Sequence, residues 1–378
     1  MPTRVLGSAL AGVLAILALP LTSASGADGA VQHWGSYAGK HAAPLPTTVS
    51  NLVDVVAIDA SNTSSYVLES NGTVWAFGEN GRAQLGDGSN ASSNKEAVQV
   101  DFPAGVKIVA IGEAQNSGFA IDSTGQGWAW GQAGGGQLCL GKSEAKIATP
   151  EKIAGMTEAL AVQGGEHHVL WLLKNGTMES CGSNSNGQLG VSQKTKKSDV
   201  PVKIPGLSNV LEISAGEKSS CARTSAGSVY DWGADYNGQA ANGLEEPGVY
   251  APYLVALPGA ASQISCGGNL PENGHTMVLV KGVPYGWGAD LFGQVGDGKT
   301  VNKLKPVIAT EAQSLGLTHV VASGAYSLGL TAKGNVYAWG SDAGEALGTG
   351  TGASSLTPRL VDSGVSEISA TAQNSLVR

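Results

Sequence analysis

The residues of this 378-residue chain that are best equipped for chemistry are few and scattered. Glu166, His167 and His168 adjoin and have the look of a metal cluster, but neighbours on a strand point to opposite faces. His167 and His168 therefore cannot hold one ion without distorting the backbone. His41 and His319 have no carboxylate close in sequence, and no serine, histidine and acid suggest a triad. Asp87-Gly88 and Asp297-Gly298 lack the alternating acids of a calcium loop and read as turns. Gly134-Gly135-Gly136 and Gly267-Gly268 are not followed by the Gly-Lys-Ser/Thr of a phosphate loop. No catalytic residue, metal or cofactor is expected. An enzyme would need Glu113, Glu166, His167 and Glu217 gathered at one mouth.

The elements that would position such residues come from a repeat. His33-Trp34-Gly35, Trp75-Ala76-Phe77-Gly78, Trp128-Ala129-Trp130-Gly131, Glu179-Ser180-Cys181-Gly182, Tyr230-Asp231-Trp232-Gly233, Tyr285-Gly286-Trp287-Gly288 and Tyr337-Ala338-Trp339-Gly340 recur, their closing glycines 43, 53, 51, 51, 55 and 52 residues apart. A period of that size marks an array. Before several of these runs, Asn71-Gly72, Asn175-Gly176 or Lys333-Gly334 separates two short apolar runs, a hairpin signal. After them come Gln84-Leu85-Gly86, Gly187-Gln188-Leu189-Gly190 and Gly293-Gln294-Val295-Gly296. Pro150, Pro201, Pro252, Pro306 and Pro358 follow 18 or 19 residues past their glycines and are expected to open an outer strand, where a missing N–H is tolerated. Four strands per unit and seven units give an all-β, seven-bladed β-propeller of four-stranded blades. The incomplete units at the two ends complement one another, so Ser375-Leu376-Val377 is expected to pair with Val31 to Trp34 and close the ring.

These residues resemble the regulator of chromosome condensation repeat family, over roughly residues 29 to 378. Val320 to Gly340 follows the family's pattern nearly throughout. The family's His-Ser step is occupied here by Ser64-Ser65, Asn116-Ser117, His168-Val169, Ser219-Ser220, His275-Thr276, Tyr326-Ser327 and Asn374-Ser375. His33, His168 and His275 thus hold places set by the repeat. The namesake's chromatin role and its nucleotide exchange on a small nuclear GTPase do not carry over to an acidic, exported chain. Secreted bacterial relatives include an inhibitor of β-lactamases that blocks its target with a loop face.

Residues 1–27 carry Arg4, an apolar run from Ala9 to Leu19 and a small-residue stretch to Ala27, which reads as a secretory signal cleaved near residues 24–27. Residues 28–378 then form the single propeller domain, released and monomeric. With 55 glycines, 14% charged and 42% hydrophobic residues, the composition suits a turn-dense β-protein with a large core. The net charge is −8, and one unit more negative without Arg4, which argues against a nucleic-acid partner. The basic cluster, Lys194-Thr195-Lys196-Lys197, reads as a solvated loop. Cys139, Cys181, Cys221 and Cys266 would meet an oxidising exterior, and a Cys181–Cys221 bridge between blades is the favoured pairing, four buried thiols the alternative.

The loops after the marker glycines are what the repeat leaves unexplained. On a propeller they emerge on one face, so Tyr37, Arg82, Asp235, Tyr236, Asp290, Leu291 and Phe292 are expected to form a partner-binding patch. Gly267 to Gly274, an insertion, is a second candidate. The function expected is protein binding, inhibition or scaffolding of an unidentified extracellular or cell-surface protein. A glycan-binding or polysaccharide-degrading propeller is the alternative, disfavoured because all eight tryptophans sit in strands.

Overall fold

The computed structural model describes residues 30–37, 40–89, 91–142, 144–268 and 273–378, so the expected signal segment lies outside it. Seven antiparallel four-stranded sheets follow one another around a ring. Blade 1 is built from Val55–Ala60, Ser64–Glu69, Val74–Glu79 and Ser93–Gln99, innermost strand first. Blades 2 to 6 repeat this order from Ile108, Ala159, Val210, Ala261 and Leu317. The second strands are buried along all or nearly all of their length, completely so in Ser64–Glu69, Ser117–Asp122, His275–Val280 and Tyr326–Thr331, because a blade packs on both of their faces. They accordingly read as unbroken small and apolar runs, not as alternating ones.

Each marker glycine permits a close approach. Gly35 has φ +88°, and a Cβ there would come within 2.0 Å of the Gln373 carbonyl oxygen; at Gly182, φ +103°, it would come within 2.2 Å of that of His167. Any side chain would force the second and third strands apart.

The blades are joined by a repeated bond. The tryptophan before the marker glycine donates its indole N–H to a loop carbonyl of the preceding blade: Trp130 to Gln84, Trp232 to Gln188, Trp287 to Gln239, Trp339 to Gln294 and Trp34 to Ala346, all at 2.8–3.0 Å. Each indole is buried by two blades at once, so the apolar core lies in the seams. A second link runs through the His-Ser step: His168 Nε2 lies 2.9 Å from Ser220 Oγ and His275 Nε2 2.8 Å from Ser327 Oγ. Around the channel, Ser214, Ser265 and Ser369 each accept the N–H of Cys266, Ala322 or Ala60 on the next innermost strand.

The ring closes as expected. Blade 7 runs Ile368–Thr371, Asn374–Val377, Gln32–Tyr37 and Lys40–Thr48, with Gln32 opposite Val377, His33 opposite Leu376 and Trp34 opposite Ser375. The last residue fastens the seam to blade 1: Arg378 donates to the carbonyls of Val55 and Val56 and pairs with Glu367 at 2.9 Å.

Two expectations are corrected. The prolines do not open the outermost strands. Pro150, Pro201, Pro252, Pro306 and Pro358 lie inside them, at the breaks in register against the third strand, where the ladder has no use for a donor. The disulfide joins Cys139 to Cys181, not Cys181 to Cys221. Its position follows from the seam. Gly86, Gly190, Gly296 and Gly348 face the tryptophans of the next blade so closely that a Cβ would lie within 3 Å of the indole. Where Cys181 replaces that tryptophan, the glycine opposite is Cys139, and a covalent bond fills the place of the indole contact. Cys221 and Cys266 are buried free thiols in the core between blades 4 and 5.

Deleting residues 372–378 should abolish soluble expression, because it strips blade 7 of its second strand; an unchanged melting temperature refutes the closure. Replacing Cys139 and Cys181 by serine should cost about 2–4 kcal/mol in urea unfolding. Restoring the repeat with Cys139→Gly and Cys181→Trp should recover part of that loss, which a reading of the disulfide as a mere staple does not require.

Candidate protein-docking face

Within a blade the first-to-second and third-to-fourth strand connections leave at the same end, so both sets of loops share one face. The outer set is rigid for a local reason. An Asx side chain at its start accepts the backbone N–H five residues on: Asn80 from Leu85, Asn184 from Leu189, Asp235 from Ala240, Asp290 from Val295 and Asp342 from Leu347, at 2.8–3.0 Å. The glutamine that follows accepts an N–H two residues back, as Gln84 does from Arg82, Gln239 from Asn237 and Gln294 from Phe292. Its carbonyl then takes the next blade's indole. One loop therefore shapes itself and holds its neighbour.

The seven expected partner-binding residues divide accordingly. Asp235 and Asp290 are fully buried and hold their loops from within; burial pushes both carboxyls up to about 6, and Lys303 lies 3.0 Å from Asp290. They shape the surface and do not offer a carboxylate to a partner. Leu291 is 59% exposed, Phe292 44% and Tyr236 39%, and Arg82 is exposed. Tyr236 is oriented by Asn186, whose amide donates to the phenol oxygen at 2.8 Å. Tyr37 ends its strand, and its side chain lies outside the described part. Of the insertion, residues 269–272 lie outside it as well.

Glu113, Glu166, His167 and Glu217, which an enzyme would need gathered, come from three consecutive blades and are not drawn into one cluster. Glu166 and Glu217 adjoin through a backbone bond of 2.9 Å, and His167 lies 3.5 Å from Glu166. Glu113 turns the other way around the ring, to Thr371 Oγ at 3.3 Å. Among the described residues no three His, Cys, Asp or Glu form a group that could hold a metal. The buried Ser–His contacts are not dyads. Ser220 and Ser327 spend their protons on the carbonyls of Gln188 and Gln294, so the imidazole Nε2 must donate to serine and cannot take its proton. Burial lowers both histidines to about 3. Asp122 and Gln126 act within blade 2: Trp128 donates to Asp122, and Gln126 to Ile153.

The regulator of chromosome condensation (RCC1) repeat model matches residues 175–223. The chain is 27% identical over 329 residues to the ultraviolet-B receptor UVR8 of Arabidopsis thaliana, covering 84% of this chain and 73% of that protein. It is 28% identical over 298 residues to the human E3 ubiquitin-protein ligase HERC2, a match that spans 77% of this chain but 6% of the ligase. Among solved structures, Prp20p of Saccharomyces cerevisiae, described with its binding properties to Gsp1p and histones, superposes with a TM-score of 0.79 at 21% identity, over 92% of this chain and 90% of that one.

The channel carboxyls give a pH signature. Burial raises Asp59 to about 7, against bonds from Ser369 and Ala60 that lower it, and burial together with Asp59 raises Glu113 well above the usual range. The folded state thus holds a proton on Asp59 that the unfolded chain releases near pH 4, and this group's effect is to lower stability as pH rises from about 4 to about 7. Asp59→Asn keeps the acceptor and removes the titration. Its melting temperature relative to the parent should rise between pH 5 and pH 8; a constant difference would mean that the carboxylate is solvated by the channel.

Proposed function

Because this chain belongs to the regulator of chromosome condensation repeat family, we propose that it is a protein-binding propeller, without catalysis of its own, that works through one loop face. The observation that carries this reading is the display of Tyr236, Leu291 and Phe292 on loops whose backbones are already locked by Asp235, Asp290 and the loop glutamines. Apolar and aromatic side chains presented without a backbone entropy cost are what a protein interface uses. Prp20p, a propeller of similar fold, is described as binding Gsp1p and histones, which supports protein recognition as a use of this scaffold. The glycan reading has less support: seven of the eight tryptophans are buried in the seams, leaving few rings to stack on a saccharide.

The partner we propose is an extracellular or cell-surface protein, met after export directed by residues 1–27. The Cys139–Cys181 bond is in keeping with an oxidising compartment. The protein should capture a single species saturably from secreted and cell-wall extracts, and a Tyr236→Ala, Phe292→Ala variant should lose it while keeping its melting temperature. Retention of glycan instead, or capture indifferent to the variant, would refute the docking face.

A further inference from the structure

Beside the loop face, the flank between blades 3 and 4 holds an open apolar groove of about 520 Å³. Val191 and Pro205 of blade 3 form one wall, and Val249, Tyr250, Pro252 and Tyr253 of blade 4's outermost strand, Glu246–Leu254, form the other. The walls are fixed to each other. Tyr250 donates its hydroxyl to the Ser185 carbonyl at 2.8 Å, and Asn186 donates to both Pro247 and Tyr236. Tyr236 thus connects the groove to the docking face. Glu246–Leu254 ends its sheet, and beyond the clamped half Tyr253 is 40% exposed and Leu254 54%.

Charge marks what would fill it. Val191 and Ser192 lead directly into the exposed lysines Lys194 and Lys196, neither of which has an ion pair among the described residues, whereas Lys197 is held by Asp199 at 3.0 Å. In a chain of net charge −8 this is a local reversal of sign. An apolar trough lined by two tyrosines and two prolines, beside an edge strand, suits an extended segment with proline or aliphatic side chains, whose polyproline or β-backbone is already elongated. Two unpaired lysines in the loop that follows the groove's Ser192 suit acidic residues following that segment.

We propose that this groove binds an extended acidic segment of a partner protein, a proline or aliphatic side chain seated between Tyr250 and Tyr253 and aspartate or glutamate against Lys194 and Lys196. The inference rests on the protein-binding reading and gives it a partner chemistry. It is tested by selecting a random 12-residue peptide phage library on the purified protein. Enriched peptides should combine proline or leucine with flanking acids. Tyr253→Ala should weaken them at least about tenfold, and Lys194→Glu, Lys196→Glu by roughly three- to tenfold, with loss at high salt. The lysine pair lies on an exposed loop and serves as the test should Tyr253→Ala fail to fold. No enrichment, or peptides indifferent to both variants, overturns the groove. So does binding to a neutral oligosaccharide array that Tyr253→Ala abolishes and the lysine variant spares. If the groove fails while capture dependent on Tyr236 and Phe292 persists, the docking face stands without it.

Discussion

The bond from a tryptophan indole to a loop carbonyl of the preceding blade is the contact on which the remaining structure depends. A blade is a single sheet and buries neither face by itself; each face becomes core only against a neighbouring blade, whose seam the indole enters. In four seams the carbonyl that receives the indole belongs to a glutamine whose side chain closes the same loop, so there the shape of the surface loop and the cohesion of the ring are one interaction seen from two sides. Loosening a loop loosens a seam. This ties the geometry of the docking face to the stability of the core, and it explains how short loops rich in glycine stay fixed enough to present Leu291 and Phe292.

Most polar residues that look chemically able are absorbed by this scheme. His168 and His275 are neutral donors between blades, Asp235 and Asp290 are internal loop staples, and Glu212 and Glu367 are paired with Arg223 and Arg378 while accepting from the next blade's backbone. Their burial is tolerable because each has at least one side-chain atom bonded. At the channel, Asp59 and Glu113 each have one oxygen bonded and the other unpartnered, and they leave a titration behind.

The repeat made the architecture legible in the sequence, including the pairing of the two chain ends, because the period and the marker glycines are local signals that recur in phase. The disulfide was legible too, but only by a comparison between units: Gly-Gln-Leu-Gly becomes Gly136-Gln137-Leu138-Cys139 in the unit before the one in which tryptophan becomes Cys181. Reading each cysteine within its own unit hides that exchange. The docking residues were half legible. Position after the marker glycine identifies the loop, yet an aspartate and a phenylalanine there are indistinguishable until the backbone shows that Asp290 turns inward to Val295 while Phe292 turns out. The groove beside Tyr250 had no sequence signal, since it is made by a loop and a strand from different repeats. The prolines were misplaced because a break in register inside a strand has no signature of its own.

Blade 7 is assembled from residues at opposite ends of the chain, Gln32 against Val377. Six blades can form in order as the chain emerges, each docking on the last, whereas the seventh must wait for the strands Ile368–Thr371 and Asn374–Val377 to exist. Closing a loop of that length costs on the order of 5 kcal/mol in chain entropy, and it is offset only when the whole ring is in place. The protein is therefore an open arc until Gln32–Tyr37 and Asn374–Val377 meet. An open arc still has an unpaired strand edge and an unfilled seam. Sealing is a single late event.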